Sequence, residues 1–158
     1  MTGTPLVRHA DRAALPRVAE LAAQHADYER AAPPVEDLAA RLAGLLFDTP
    51  APRLRCLVAE APDGEVVGYA TCASGLSTWD GREYLHMDCL FLAPGHRGLG
   101  LGPLLVDAVV AEARRLGLAQ VQWQTPARNE RAVRFYDRLG ARAQQKLRYS
   151  FPVGEAGT

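Results

Sequence analysis

The segment from Leu90 to Leu105 constrains the fold more than any other part of this 158-residue chain. An apolar strand-like run, Leu90–Leu92, leads into a loop with glycines at positions 98, 100 and 102, and an apolar helical run follows. Glycine lets the backbone approach an anion closely, and a helix N-terminus adds unpaired N–H donors and a positive partial charge. Pro103 suits the first helical turn, where its missing N–H leaves no gap. The segment therefore predicts a cradle for a phosphate group, with Arg97 beside it.

Two common nucleotide-binding motifs do not fit this cradle. A P-loop requires Lys followed by Ser or Thr after its last glycine, where this chain has Pro103 and Leu104. A dinucleotide fingerprint requires G-x-G-x-x-G near the start of a βαβ unit, whereas these glycines alternate and follow more than half of the chain. The pattern that remains is R-x-x-G-x-G, from Arg97 to Gly102.

Composition limits the class of partner. A length of 158 residues with 48% hydrophobic residues predicts a single domain over residues 1–158, with a frayed tail from about residue 154. The 18 basic and 18 acidic residues cancel, so we expect a small-molecule partner and no nucleic acid. The sequence has no long apolar run and no leader pattern, so we expect no membrane contact and a cytoplasmic location. The three cysteines and four histidines lack ligand spacing, which predicts reduced thiols and no metal.

Periodicity and turn residues predict the element order β-α-α-β-β-β-α-β-α-β. The strands are predicted at residues 6–9, 53–60, 65–76, 83–92, 119–125 and 144–153. Asp11 is the predicted cap of the first helix, and the second helix is predicted to start at Pro33–Pro34 with Glu36 and Asp37 in its first turn. The remaining helices are predicted to end near residues 116 and 139. The fold class is therefore α/β, with a twisted mixed sheet flanked by helices.

Two segments resemble the signatures of the GCN5-related N-acetyltransferase (GNAT) family. Arg97–Gly102 resembles its acetyl-CoA loop, and Asn129–Ala141 is similar to the pattern N-x-x-A-x-x-F-Y-x-x-x-G-A. The element order is also that of the family, and the match covers nearly the whole chain. The resemblance implies the GNAT fold, an acetyl-CoA-dependent N-acetyltransferase of the acyltransferase class, and a homodimer.

The resemblance also implies which residues hold acetyl-CoA. The pantetheine arm pairs with the backbone of Leu90 and Leu92 as an extra strand would, and one of these amides polarises the thioester carbonyl. The side chains of this strand can pack in the core at the same time. The implied cofactor residues are Leu90, Phe91, Leu92, Arg97, Gly98, Leu99, Gly100, Leu101, Gly102, Pro103, Asn129, Ala132, Phe135, Tyr136 and Arg138.

Three shorter segments, residues 26–29, 77–82 and 84–88, resemble the diamine and polyamine acetyltransferase branch, including its thialysine-acetylating relatives. They imply that Tyr28, Glu29 and Trp79, together with Asp88, bind a cationic substrate. A solvated loop and helix end is the alternative interpretation of these residues. The usual Glu-Asp pair of the branch is Asp88-Cys89 here, which weakens the case for a long polycation.

Tyr136 and Asp88 are the candidate catalytic residues. A phenol with a pKa of about 10 is well matched to protonate a thiolate with a pKa of about 8.5. Helical spacing alone would place Tyr136 in a core, and its family position favours catalysis. An amine with a pKa of about 10.4 is almost fully protonated at neutral pH, so Asp88 is a candidate water-relay base or binding charge, with a structural salt bridge as the alternative. A covalent route through Cys89 lacks an adjacent histidine.

The sequence therefore predicts direct acetyl transfer to a primary amine of a small molecule, namely a diamine, a polyamine or an amino-acid side chain. An aminoglycoside or other amine antibiotic is the alternative acceptor, and a protein N-terminus is less favoured. A non-catalytic CoA-binding module is the alternative from another class, and the presence of Asn129 and Tyr136 argues against it. A purely structural α/β domain would not bind acetyl-CoA.

Overall fold

The computed structural model describes residues 4–155, which divide into two compact units, residues 4–124 and 125–155. The first unit contains a five-stranded sheet with helices. Its elements are β1 (Leu6–His9), α1 (Leu15–Tyr28), α2 (Leu38–Leu46), β2 (Leu54–Glu60), β3 (Val66–Ser77), β4 (Arg82–Leu92), α3 (Leu101–Arg115) and β5 (Val121–Trp123). The second unit contains α4 (Glu130–Arg138). The single domain expected from the chain length remains a prediction.

The sheet has the strand order β1-β2-β3-β4-β5. The first four strands pair antiparallel, and β4 pairs with β5 in parallel. A parallel pair requires a crossover connection, which α3 supplies between β4 and β5. The predicted fold class, a mixed α/β sheet flanked by helices, is confirmed.

Two apolar cores lie on the two faces of the sheet. On one face, α3 places residues three or four positions apart against the strands, among them Leu101, Leu105 and Val109. On the other face, α1 and α2 cover the sheet with residues that include Val18 and Leu42. Asp11 caps the turn before α1 by accepting a hydrogen bond from the Ala14 N–H, as the sequence predicted. The two cores hold β4 between helices along its second half.

One residue of β4 interrupts its pairing with β3. Thr71 pairs with Cys89 and Cys72 pairs with Met87, so Asp88 is an extra residue without a partner on β3. An extra residue of this kind is a β-bulge, which bends the strand and re-aims the side chain.

The bulge changes which β4 side chains face each core. Before it, Leu85 and Met87 pack in the α3 core. After it, Leu90 and Leu92 pack against that core, while Phe91 lies in the α1–α2 core. A strand without a bulge would keep odd-numbered residues on one face throughout. After the bulge, even-numbered residues therefore face the α3 core and Phe91, an odd-numbered residue, faces the α1–α2 core.

Two predicted element positions are wrong. The second helix begins at Leu38, because Glu36 and Asp37 form a turn in which the Leu38 N–H bonds to the Val35 carbonyl.

The strand predicted at residues 144–153 does not form, and these residues are irregular and exposed. Their alternating apolar residues, Leu147, Tyr149, Phe151 and Val153, match a strand pattern. A strand requires a partner, and within residues 125–155 α4 is the regular element. The predicted order therefore holds up to α4 and fails at its last member. Positions 156–158 of the predicted frayed tail lie outside the described residues.

Candidate active site

β4 extends beyond the strand that borders it. β5 pairs with β4 only over Leu85–Met87, whereas β4 continues to Leu92. Within residues 4–124, the edge of residues 88–92 on the β5 side has no strand partner, so its backbone can pair with an extended ligand. The Leu92 carbonyl accepts a hydrogen bond from Arg97 Nε at 3.1 Å. An incoming arm such as pantetheine would therefore pair mainly with the residues before Leu92.

The loop after β4 has the conformation that its glycines predict. Gly98 and Gly100 have φ angles of +79° and +84°, in the left-handed region that favours glycine. Gly102 is buried in the first turn of α3. A Cβ atom at Gly98 or Gly100 would meet no atom within 4 Å, so the surface above the loop is open. With the N-terminus of α3 beside it, this open surface suits the pyrophosphate of CoA.

The bulge turns Asp88 outward, one residue beyond the end of the β4–β5 pairing. Its side chain is 71% exposed, and His86 Nε2 lies 3.9 Å from its Oδ1. The Sγ of Cys89 lies 3.7 Å from its Oδ2. A solvated carboxylate in this position can bind an ammonium group and pass a proton to water.

Arg97 contacts one residue predicted to bind the cofactor and one residue predicted to bind the substrate. Its guanidinium carbon lies 4.5 Å from the Tyr28 ring centroid and 5.4 Å from that of Phe91. The Phe91 ring in turn stacks on the His25 ring at 5.0 Å. The structure therefore brings Tyr28, Phe91 and Arg97 together at the end of β4.

Sequence analysis missed two members of this region, His25 and Tyr69. His25 Nδ1 lies 3.0 Å from the Tyr69 hydroxyl, and its Nε2 lies 3.3 Å from Glu29 Oε1. The spacing of His25 and Glu29, four residues apart on a helix, is a signal that the sequence does contain. The contact with Tyr69 joins residues 44 positions apart and has no local signal.

Burial keeps the thiol and the phenol of this region protonated. It raises the pKa of Cys89, and the Asp88 carboxylate raises that pKa further. Burial also raises the pKa of Tyr69 far above its ordinary value, and the neighbouring Cys89 adds to the effect. Because the thiolate is the nucleophilic form of cysteine, these surroundings disfavour an acyl-cysteine route.

Trp79 does not join the other predicted substrate residues. It lies in the turn between β3 and β4, where its side chain is 98% exposed. Ser77 and Asp80 close this turn through a side-chain hydrogen bond of 2.9 Å. Asp88 lies six positions after Arg82 on β4, which corresponds to about 20 Å along the strand. Within residues 4–124, Trp79 is therefore remote from the Tyr28 contacts.

The second signature forms α4 and the residue before it. The Oδ1 atom of Asn129 accepts a hydrogen bond of 3.1 Å from the Ala132 N–H and so caps the helix. The Phe135 and Tyr136 rings lie 5.3 Å apart between centroids, and Arg138 lies in the last turn. Asn129 therefore has a structural role that accompanies the one implied by resemblance.

The described residues contain no metal cluster, no disulfide and no membrane-spanning helix. Within residues 4–155, no three His, Cys, Asp or Glu side chains form a group suited to a metal ion. The thiols of Cys56, Cys72 and Cys89 are free. No helix in the same range combines the length and apolar character that crossing a bilayer requires.

Comparison with known proteins finds a family model that covers most of the chain and several N-acetyltransferases similar to part of it. The family model described as Acetyltransferase (GNAT) family matches residues 15–141. A thialysine N-epsilon-acetyltransferase of Bos taurus is 34% identical over 97 residues, which are 57% of this chain and 56% of that protein. An L-ornithine N5-acetyltransferase of Arabidopsis thaliana is 27% identical over 94 residues, which are 60% of this chain and 41% of that protein. The chain thus spans about half the length of these curated relatives.

Among solved structures, an acetyltransferase of Trypanosoma brucei superposes with a TM-score of 0.71 at 24% sequence identity. The match covers 94% of this chain and 100% of that chain, which shows a shared fold. The family model alone covers well over half of the sequence. As its two signatures predicted, the chain belongs to the acetyltransferase (GNAT) family.

Proposed function

We propose that this chain transfers the acetyl group of acetyl-CoA directly to a primary amine of a small molecule. The observation that carries the proposal is the order of features along β4 and the loop after it. Asp88, an unpaired strand edge and an open glycine loop follow one another there. They supply, in turn, a charge for an ammonium group, a backbone partner for pantetheine and donors for pyrophosphate.

Acetyl-CoA, when bound, supplies an activated acetyl thioester. The backbone of Leu90 holds the pantetheine arm, and a backbone amide of this strand polarises the thioester carbonyl. The N–H groups of residues 98–102 hold the pyrophosphate, together with the terminal nitrogens of Arg97. The Nε atom of Arg97 is already bonded to Leu92, which fixes the direction of the guanidinium group.

The acceptor amine must lose a proton before it can react. Asp88 binds the ammonium group, and the proton leaves through the carboxylate or through water. The amine nitrogen then attacks the carbonyl carbon, so that a C–N bond forms and the C–S bond breaks. Tyr136 donates a proton to the departing thiolate, a role supported by the chemistry of a phenol and by its position in the family signature. The second proton of the attacking nitrogen passes through water to the Tyr136 phenolate, which leaves the neutral amide, free CoA and the phenol.

The acceptor is the side-chain amine of an amino acid, a diamine or a polyamine. The names of two relatives favour the first of these, because thialysine and ornithine both carry a side-chain amine. We also propose that the chain is cytoplasmic and that it acts as a homodimer; the family resemblance implies the dimer. Light scattering on the purified protein tests the dimer.

Release of free CoA from acetyl-CoA over a panel of amines tests the activity. The panel contains spermidine, putrescine, lysine, ornithine, thialysine, several free amino acids and two aminoglycosides. We expect turnover with one class of amine. Acetyl-CoA binding without turnover on any amine would refute the enzyme and support the non-catalytic module.

The role of Tyr136 is tested by Tyr136→Phe, with Tyr149→Phe as the matched control. Tyr149 has the same side chain and is 86% exposed in the same unit. We expect the first variant to lose about 100-fold in kcat and the second to keep the activity of the parent. Equal rates for the two variants would remove Tyr136 from the mechanism.

A further inference from the structure

A groove of about 320 Å³ lies on the sheet beside Asp88. Three neighbouring strands form it side by side, since His86 of β4 pairs with Ala73 of β3 and with Gln122 of β5. A volume of this size matches a small-molecule site. The lining residues are Ala73, Ser74, Gly75, Tyr84, His86, Gln122, Trp123 and Gln124.

The groove adjoins the proposed amine site, because His86 lines the groove and lies next to Asp88. His86 and Asp88 are two residues apart on β4, a spacing of about 7 Å on one face of a strand. The His86 Nε2 lies 3.9 Å from the Asp88 carboxylate. An amine held at Asp88 would therefore direct the rest of its molecule along the groove, past His86 and toward Tyr84.

Gly75 shapes one wall of the groove. A Cβ atom at this position would lie 2.7 Å from Cζ of Tyr84 and 2.8 Å from its hydroxyl oxygen. The absence of a side chain at Gly75 is what lets the Tyr84 ring lie against β3. The hydroxyl group is thereby kept at the groove, where it can both donate and accept a hydrogen bond.

The charge of the lining limits what the groove can bind. Among these eight residues there is no Asp, Glu, Lys or Arg, and the polar side-chain groups are two hydroxyls, one imidazole, two amides and the indole N–H of Trp123. A second ammonium group placed here would lose water without gaining a carboxylate, and a lone carboxylate would gain no guanidinium. Amides and hydroxyls can instead satisfy an uncharged or zwitterionic group, because they donate and accept.

We propose that this groove binds the part of the acceptor that is not acetylated and selects acceptors in which that part is net neutral and hydrogen-bonding. The proposal rests on the proposed acetyltransferase function and narrows it. The side-chain amine of an amino acid and an amine with an amide end are accepted. A diamine or polyamine, which places a second ammonium in the groove, is rejected.

Four amines of matched length test the selection. Lysine and cadaverine differ by one carboxylate, and 5-aminopentanamide and 5-aminopentanoate differ in the charge of the far end. We expect kcat/KM for lysine and the amide to exceed the values for cadaverine and the pentanoate by about tenfold, because an unpaired charge in the groove remains uncompensated. Equal or higher values for cadaverine would overturn the proposal.

Variants of the lining test whether the groove causes the selection. Gln122→Glu and Gln124→Glu each add the missing carboxylate, and each should shift the cadaverine-to-lysine ratio of kcat/KM upward by about fivefold. Gln24→Glu adds the same charge on an exposed position of α1, outside the groove, and should leave the ratio unchanged. Identical ratios in all three variants would place the acceptor elsewhere.

A binding measurement separates this proposal from the activity itself. The chain has two tryptophans, so Trp79→Phe leaves Trp123, which lines the groove, as the reporter of fluorescence. We expect lysine to change this signal and cadaverine to leave it unchanged. That result without any turnover would refute the acetyltransferase but keep the groove as a binding site. Turnover of lysine without a signal change would refute the groove and keep the acetyltransferase.

Discussion

Replacing Tyr69 with phenylalanine tests the hydrogen bonds that join α1 to the sheet. The Tyr69 hydroxyl lies 3.0 Å from His25 Nδ1 and also contacts Cys89. The ring itself is buried in the α1–α2 core. Tyr69→Phe keeps the ring and removes one hydroxyl, so the packing is preserved and His25 loses its partner.

The cost of this variant follows from the surroundings of His25. A net hydrogen bond contributes about 0.5–1.5 kcal/mol, and a buried partner left unsatisfied costs about 1–3 kcal/mol. His25 keeps Glu29 on its other ring nitrogen, but only 14% of its side chain is exposed, so water replaces the hydroxyl poorly. We expect the free energy of unfolding in urea to fall by about 1–3 kcal/mol. For a chain of this length, each kcal/mol lowers Tm by about 2–4 °C.

Tyr149→Phe is the control for this measurement, because it removes the same hydroxyl from an exposed side chain. Its free energy of unfolding should stay within about 0.5 kcal/mol of the parent. In a double-mutant cycle, Tyr69→Phe combined with His25→Leu should cost less than the sum of the single variants. Equal stabilities for the two tyrosine variants, or full additivity in the cycle, would refute the argument.

Three other predictions concern stability and reactivity. Burial and two nearby arginines lower the pKa of His9 below 6.5, so the unfolded chain binds a proton at this residue more tightly than the folded chain does. The free energy of unfolding, measured by urea titration, should therefore fall as the pH drops below 6.5. His9→Gln should make this dependence of the unfolding free energy on pH less steep. Gly100→Ala places a side chain on a left-handed backbone and should lower the free energy of unfolding in urea by about 1 kcal/mol. Gly44→Ala, within α2, should raise the same free energy by about 0.5–1 kcal/mol. Burial raises the pKa of Cys56 to about 12 and that of Cys72 to about 11, so both thiols should resist alkylation at pH 8 in the folded protein and react at once in denaturant.

The sequence predicted correctly those elements that depend on interactions between residues close together in the chain. β1 and the Asp11 cap lie where the sequence placed them, because alternation and capping chemistry act within a few residues. The glycine loop was predicted for the same reason, since left-handed backbone at Gly98 and Gly100 requires this residue type. The prediction of a strand at residues 144–153 was wrong, because alternating apolar residues indicate which side chains would share a face but do not supply a neighbouring strand to pair with.

The parts of the candidate site that escaped prediction depend on distant contacts. The hydrogen bond between His25 and Tyr69 joins α1 to β3, and neither residue signals the other in the sequence. The bulge at Asp88 has no sequence signal, because Cys89, Leu90, Phe91 and Leu92 are all compatible with a core on either face. The groove near His86 exists because three strands lie side by side, which only the sheet topology determines.

The bulge at Asp88 also limits how this strand can vary in evolution. Every residue after it reaches its face of the sheet only because one position is left unpaired. A change of side chain at Asp88 alters the chemistry and leaves this geometry intact. Pairing of this residue with β3 would exchange the faces of Phe91 and Leu92 and present the wrong side chains to both cores, whereas its deletion would leave Cys89 paired with Thr71, keep both faces as they are and remove only the carboxylate. Homologous proteins should therefore differ here by substitution or by loss of this single residue, while other insertions and deletions collect in the turn at residues 78–81.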